Sequence, residues 1–193
     1  MADDHPPTPL SPDECREPTL ADLVKLCRAL NEANARYLVV GGFAIRAAGY
    51  IRSTMDVDLL IETGPENEAR VFRALMTLPD QAVRELKPGE VAEYGVVRVG
   101  DEILVDLMKS GCGVTYSDAI QDTVWHEIDG VRVPFASPQT LWRMKQTRRE
   151  KDVPDRLFLR KLLDAQISGS RTEIESAQPK GIFGWLGKLF RGN

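Results

Sequence analysis

The chain has 193 residues, 42% of them hydrophobic and 28% charged: enough apolar material for one compact core with a small appendage, and too much for a mainly disordered protein. With 25 basic against 29 acidic residues the net charge is −4, which excludes a general attraction to nucleic acid and confines any basic contact surface to a local patch. Cys15, Cys27 and Cys112 are an odd number at spacings unlike any zinc motif, so neither a disulfide framework nor a structural metal centre is expected. No apolar run follows a basic start, and nowhere do about 18 apolar residues succeed one another. The expectation is a cytoplasmic protein.

Residues 1–18 hold five acids and five prolines and read as a disordered acidic leader. From Thr19 onward Leu20, Leu23, Val24, Cys27 and Leu30 recur at helical spacing, with Thr19 and Asp22 placed to cap a helix that ends near Asn34. Tyr37–Val40 is a short apolar run stopped by Gly41-Gly42, a buried strand turning sharply into a helix over 43–48. Met55–Ile61 alternates acid and apolar residues and then becomes wholly apolar, a strand whose start carries two carboxylates on one face. A helix is predicted over 66–78, with Pro65 in its first turn.

Strands over 91–99 and 103–108, joined at Gly100-Asp101, form a hairpin with Asp106 among apolar neighbours. A second hairpin, 124–128 and 131–135, turns on Asp129-Gly130. Ser137-Pro138 opens a helix through Lys145, a basic break follows at 147–152, and a further helix over 154–167 buries Leu157, Phe158, Leu162 and Leu163 with Leu159 on its flank. Residues 168–179 read as a linker. Residues 180–193 carry apolar side chains at helical spacing and only basic charges, an amphipathic tail suited to docking or partner contact ahead of a membrane surface. The expected organisation is therefore a core over 19–136, a helical part of the same domain over 137–167, the linker and the tail.

Residues two apart on a strand share a face, so Asp56 and Asp58 form one acidic cluster, to which a neighbouring strand adds Asp106; the alternative for Asp106 is a structural acid paired with an Arg. Three carboxylates in a partly buried site either share protons or hold cations, and oxygen ligands of this kind suit magnesium. A paired magnesium site clamps the entering and leaving oxygens of a displacement at phosphorus, which points to phosphoryl or nucleotidyl transfer. Gly41 and Gly42 complement it, since glycines after a strand let backbone N–H groups approach a phosphate.

The succession of strand, Gly41-Gly42, helix, Asp56-x-Asp58 after 13 intervening residues and a later strand with Asp106 resembles the polymerase-beta-like nucleotidyltransferase superfamily over Tyr37 to Met108. Leu141-Trp-Arg-Met-Lys145 with Lys151-Asp152-Val-Pro-Asp155 resembles the C-terminal helices of minimal nucleotidyltransferases, including AbiEii-like toxins of toxin–antitoxin systems. The resemblance implies an α+β fold, a mixed sheet flanked by helices, with Asp56, Asp58 and Asp106 as ligands of two Mg2+ ions and Asp106 as activator of the acceptor hydroxyl. It implies transfer of a nucleoside monophosphate from a triphosphate such as ATP, with Gly41, Gly42, Arg52, Thr54 and Lys145 on the nucleotide and Asp152 and Asp155 holding basic residues in place. Many relatives have Gly-Ser where this chain has Gly41-Gly42, so a hydroxyl contact to phosphate is missing here.

The first expectation for the acceptor is RNA, a transfer RNA end above all, from the toxin relatives and from the eight Lys or Arg against three acids in 141–161. An antitoxin protein is the matching partner. An antibiotic or protein hydroxyl is the enzyme alternative, and a catalytically silent module that binds nucleotide or a partner is the alternative of a different class.

Overall fold

The computed structural model describes residues 15–177, so the expected leader over 1–14 and the tail over 180–193 lie outside the described residues. Helix α1 (Leu20–Glu32) starts at a capping box in which the Asp22 N–H donates to the Thr19 hydroxyl and the Thr19 N–H to the Asp22 carboxylate. Its stripe of Leu23, Val24, Leu26, Cys27 and Leu30 is buried against the sheet and α3. Strand β1 (Tyr37–Val39) leads into α2 (Gly41–Ala47), then β2 (Asp56–Ile61) and α3 (Pro65–Leu75). A short helix α4 (Glu90–Tyr94) precedes β3 (Val96–Gly100) and β4 (Leu104–Met108). A two-residue ladder, β5 (Ser110–Gly111) with β6 (Val114–Thr115), and α5 (Tyr116–Ala119) lead to β7 (Val124–Ile128), β8 (Val131–Phe135), α6 (Pro138–Met144) and α7 (Val153–Ala177).

Six strands form one mixed sheet in the order β3-β4-β2-β1-β8-β7. β1 runs antiparallel to β2 and parallel to β8, β2 runs parallel to β4, and the two hairpins close the edges as antiparallel pairs. β1 is buried throughout because it lies between two strands and beneath helices. α1 packs on α3 and β8, while α2 packs on β2 and α6, and α6 on α7. The fold is the expected mixed sheet flanked by helices. Among the described residues no helix is long and apolar enough to cross a membrane.

Several local expectations are corrected. The leader is not loose up to residue 18: the Arg16 N–H donates to the Glu102 carbonyl at 3.0 Å, and its guanidinium forks onto Asp22 at 2.7 Å through each of two nitrogens. Residues 91–94 are helical rather than strand, because the Glu68 carboxylate accepts the N–H groups of Gly89, Val91 and Ala92 and so caps α4 from α3. Residues 168–177 are not a linker. They continue α7, the Ser168 hydroxyl turning back onto the Asp164 carbonyl at 2.9 Å inside the helix. The phase of α7 also differs: Leu159 is fully buried and Leu157 exposed, since the inward stripe runs through Asp152, Asp155 and Leu159.

Candidate active site

The site is built by strand register. Asp58 on β2 stands opposite Asp106 on β4, and Asp106 stands opposite Arg98 on β3, so three side chains form a row across three adjacent strands. Asp56, two residues before Asp58, shares its face. Carboxylate oxygens of Asp56, Asp58 and Asp106 all lie within 4.8 Å of one another. Burial, then the neighbouring charges of Asp56 and Asp106, push the Asp58 carboxyl up to about 6, against a smaller pull from Lys145 and from the Gly42 N–H. Carboxylates crowded this closely fit a hard divalent cation, whose charge relieves their repulsion.

The glycine pair makes the crowding sterically feasible. Gly41 has φ +57°, and a Cβ there would lie 1.8 Å from Asp58 Oδ2. A Cβ on Gly42 would lie 2.2 Å from Thr54 Oγ1, so the space a serine at this position would need is filled by Thr54. The Thr54 hydroxyl is buried and lies 3.1 Å from the Asp56 carbonyl and 3.2 Å from Asp56 Oδ1, fixing the start of β2. The expected phosphate-facing turn is thus partly redirected: Gly41 lines the neighbouring cavity, whereas the Gly42 N–H faces the Asp58 carboxylate.

Beside the acids lies a cavity of about 520 Å³. Asp56 and Asp58 line it together with Arg52, Lys145, Arg149 and Lys151, and its apolar wall includes Met55, Val96, Met108 and Met144. The cationic side is held by a second buried network. The Lys145 ammonium donates to Asp152 at 2.8 Å and reaches Asp155 at 3.0 Å, while Thr147 donates to the other Asp152 oxygen. Burial disfavours the Lys145 charge, but these two carboxylates outweigh it and raise the ammonium above its ordinary range. Arg52 Nε lies 3.1 Å from Asp155 Oδ1, an ion pair in which neither atom completes a hydrogen bond. Lys145 is therefore not a water-facing lysine, and Asp152 and Asp155 hold the basic residues as expected from the sequence.

Asp106 is placed differently from its two partners. Arg98 Nε donates to its Oδ1 at 2.8 Å and a terminal nitrogen to its Oδ2 at 2.7 Å. An Arg partner for Asp106 was among the expectations, but the sequence did not single out Arg98, because the expected strand ends place Val96 opposite Asp106. The loop is Asp101–Ile103, displaced by one residue from the expected 100–102, and this sets Arg98 opposite Asp106. Arg149 and Lys151 entered the sequence reading only as part of a basic stretch, because nothing local places them at a cavity.

No protein-family model matches the chain, and no curated protein does. Solved structures to which it is similar include an antigenic nucleotidyltransferase-like protein from Paracoccidioides brasiliensis, 20% identical over 88% of this chain and 94% of that one, with a TM-score of 0.41. The solution structure of the antibiotic-resistance factor ANT(2'')-Ia is 16% identical over 80% of this chain and 91% of that one, with a TM-score of 0.45. A crystal structure of ANT(2'')-Ia in complex with adenylyl-2''-tobramycin gives 16% over 79% and 91%, with a TM-score of 0.44.

Proposed function

We propose that this chain is a magnesium-dependent nucleotidyltransferase that moves a nucleoside monophosphate from a triphosphate to an acceptor hydroxyl, with RNA as the acceptor. The observation that carries the reading is the convergence of Asp56, Asp58 and Asp106 within 4.8 Å beside a cavity that also presents Arg52, Lys145, Arg149 and Lys151. In the transfer, the acceptor oxygen forms a bond to the α-phosphorus, the bond from that phosphorus to the bridging oxygen breaks, and pyrophosphate leaves. Two Mg2+ ions held by the three aspartates would supply charge neutralisation at the triphosphate and acidify the acceptor hydroxyl.

The chain's own residues supply the rest. Arg52 and Lys145, anchored through Asp155, present fixed positive charge to the phosphates, so little reorganisation is needed as charge moves onto the leaving group. An Asp106 oxygen takes the acceptor proton and passes it to water. Thr54 keeps Asp56 in place.

Charge supports RNA as the acceptor. Of the three acids in 141–161, Asp152 and Asp155 are occupied by Lys145, which leaves Arg149, Lys151 and their neighbours to meet a polyanion. The carboxylates among the cavity's lining residues are Asp56, Asp58 and Asp152, the last held by Lys145, which offers a polycationic antibiotic little beyond the metal-ligand set.

The test offers each labelled triphosphate with Mg2+ to total RNA, cell protein and an antibiotic panel, with Asp56→Ala alongside. Label on RNA and pyrophosphate release, both lost in the variant, is the expected result. Label on an antibiotic or protein would move the acceptor, and nucleotide affinity without pyrophosphate release would make the chain a binding module.

A further inference from the structure

We propose that Arg98 is a positioning residue that clasps Asp106 in competition with a second divalent cation and lets go as that cation binds. This rests on the metal reading above. Arg98 donates to both oxygens of Asp106, so a cation must share each oxygen with the guanidinium and meets its positive charge in this arrangement. Asp56 and Asp58 line the cavity, whereas Asp106 and Arg98 are not among its lining residues.

The contrast with the structural acids supports a releasable contact. Buried Glu68 and Asp101 are each held by several backbone N–H groups that cannot leave without unfolding. Asp106 is instead held by the end of a long side chain on β3, the edge strand of the sheet, and that side chain is 51% exposed against 10% for Asp106. A half-exposed ion pair opens at low cost, and the freed guanidinium has solvent beside it. The acid row then reads as a two-stage site: Asp56 and Asp58 are open to a first ion, and Asp106 joins as its counter-ion moves away.

The test is a Mn2+ titration of the full chain by calorimetry and by spin resonance, with and without a non-hydrolysable nucleoside triphosphate, on the wild type, Arg98→Gln, Arg98→Lys and Asp58→Asn. Arg98→Gln is expected to tighten the weaker ion about five- to tenfold, the scale of a partly exposed bidentate pair. Arg98→Lys keeps the charge and loses the fork, so it should also bind that ion more tightly than the wild type. Unchanged or weaker binding in Arg98→Gln, in a variant whose melting shows it folded, overturns the clasp. So does an Arg98→Lys protein indistinguishable from wild type, because net charge alone then explains the Gln variant. Mn2+ binding that is absent from the wild type even with nucleotide, or that survives unchanged in Asp58→Asn, would instead remove the metal reading underneath.

Discussion

Glu68 and Asp58 are both carboxylates embedded among apolar elements, and the fold provides for them in opposite ways. Glu68 is fully buried and accepts the N–H groups of Gly64, Gly89, Val91 and Ala92, at 3.2, 2.6, 3.2 and 3.2 Å. Asp58 faces two further carboxylates and gains one backbone N–H, from Gly42. A buried acid supplied with donors ties segments of backbone together, here α3 to the start of α4; one supplied with like charges takes up a proton or a cation. Burial by itself does not separate the two kinds. The donor inventory does.

The widest separation between these regions should come from Asp58→Asn, which keeps the shape and removes the charge. Nucleotidyl transfer is expected to fall by at least about 100-fold, since losing a direct ligand should exceed the cost of losing its supports. The cation-free protein should melt higher at pH 8 than the wild type. A variant that keeps full transfer would end the parallel. Gly41→Ala should approach the same loss of transfer by another route, because its Cβ would lie 1.8 Å from Asp58 Oδ2 and the φ of +57° is strained for alanine. Mn2+ binding and far-UV circular dichroism together distinguish a displaced carboxylate from an unfolded chain.

Glu68→Ala tests the other side. Removing the acceptor from four backbone donors should cost about 3 kcal/mol or more in urea denaturation, while the folded fraction keeps its transfer rate. A smaller effect is expected from pH. The Asp58 carboxyl is raised from 3.8 to about 6 in the folded chain, so its contribution to stability is fully present below pH 3.8 and is lost as pH rises through 6. Added Mg2+ should therefore raise the melting temperature more at pH 8 than at pH 5, and an equal shift at both would contradict the assignment. At the small end, Asp164→Ala removes an exposed ion pair with Arg160 on α7 and should change stability by no more than about 0.5 kcal/mol.

What was legible in the sequence depended on whether the controlling contacts are local. The β7–β8 hairpin is recovered residue for residue because Asp129 and Gly130 adopt φ of +50° and +71°, the pair of left-handed residues that a tight turn needs. Asp56 and Asp58 were readable from strand period, and Asp106 from an acid set in an apolar run. α4 was not, since the residues that favour strand there are overruled by a carboxylate some twenty residues upstream. The phase of α7 was lost for a related reason: it was set from Leu157, Phe158, Leu162 and Leu163 alone, whereas Asp155 points inward to meet Arg52 and Lys145 and turns the helix with it. Residues 110–122 carry weak periodicity, yet Thr115 with Asp118 is a capping box that could have located α5.

The place of β8 beside β1 has a consequence for how this protein is made. β2 and β4, which bear the acids, are complete by residue 108, but the second neighbour of the central strand is supplied by residues 131–135. A nascent chain leaving the ribosome therefore holds the negatively charged half of its centre before β1 is enclosed and before Lys145 has been synthesised. Until then one side of an apolar strand stands bare, the kind of edge on which neighbouring chains add. Truncation ahead of β8 should accordingly yield aggregates rather than a smaller enzyme.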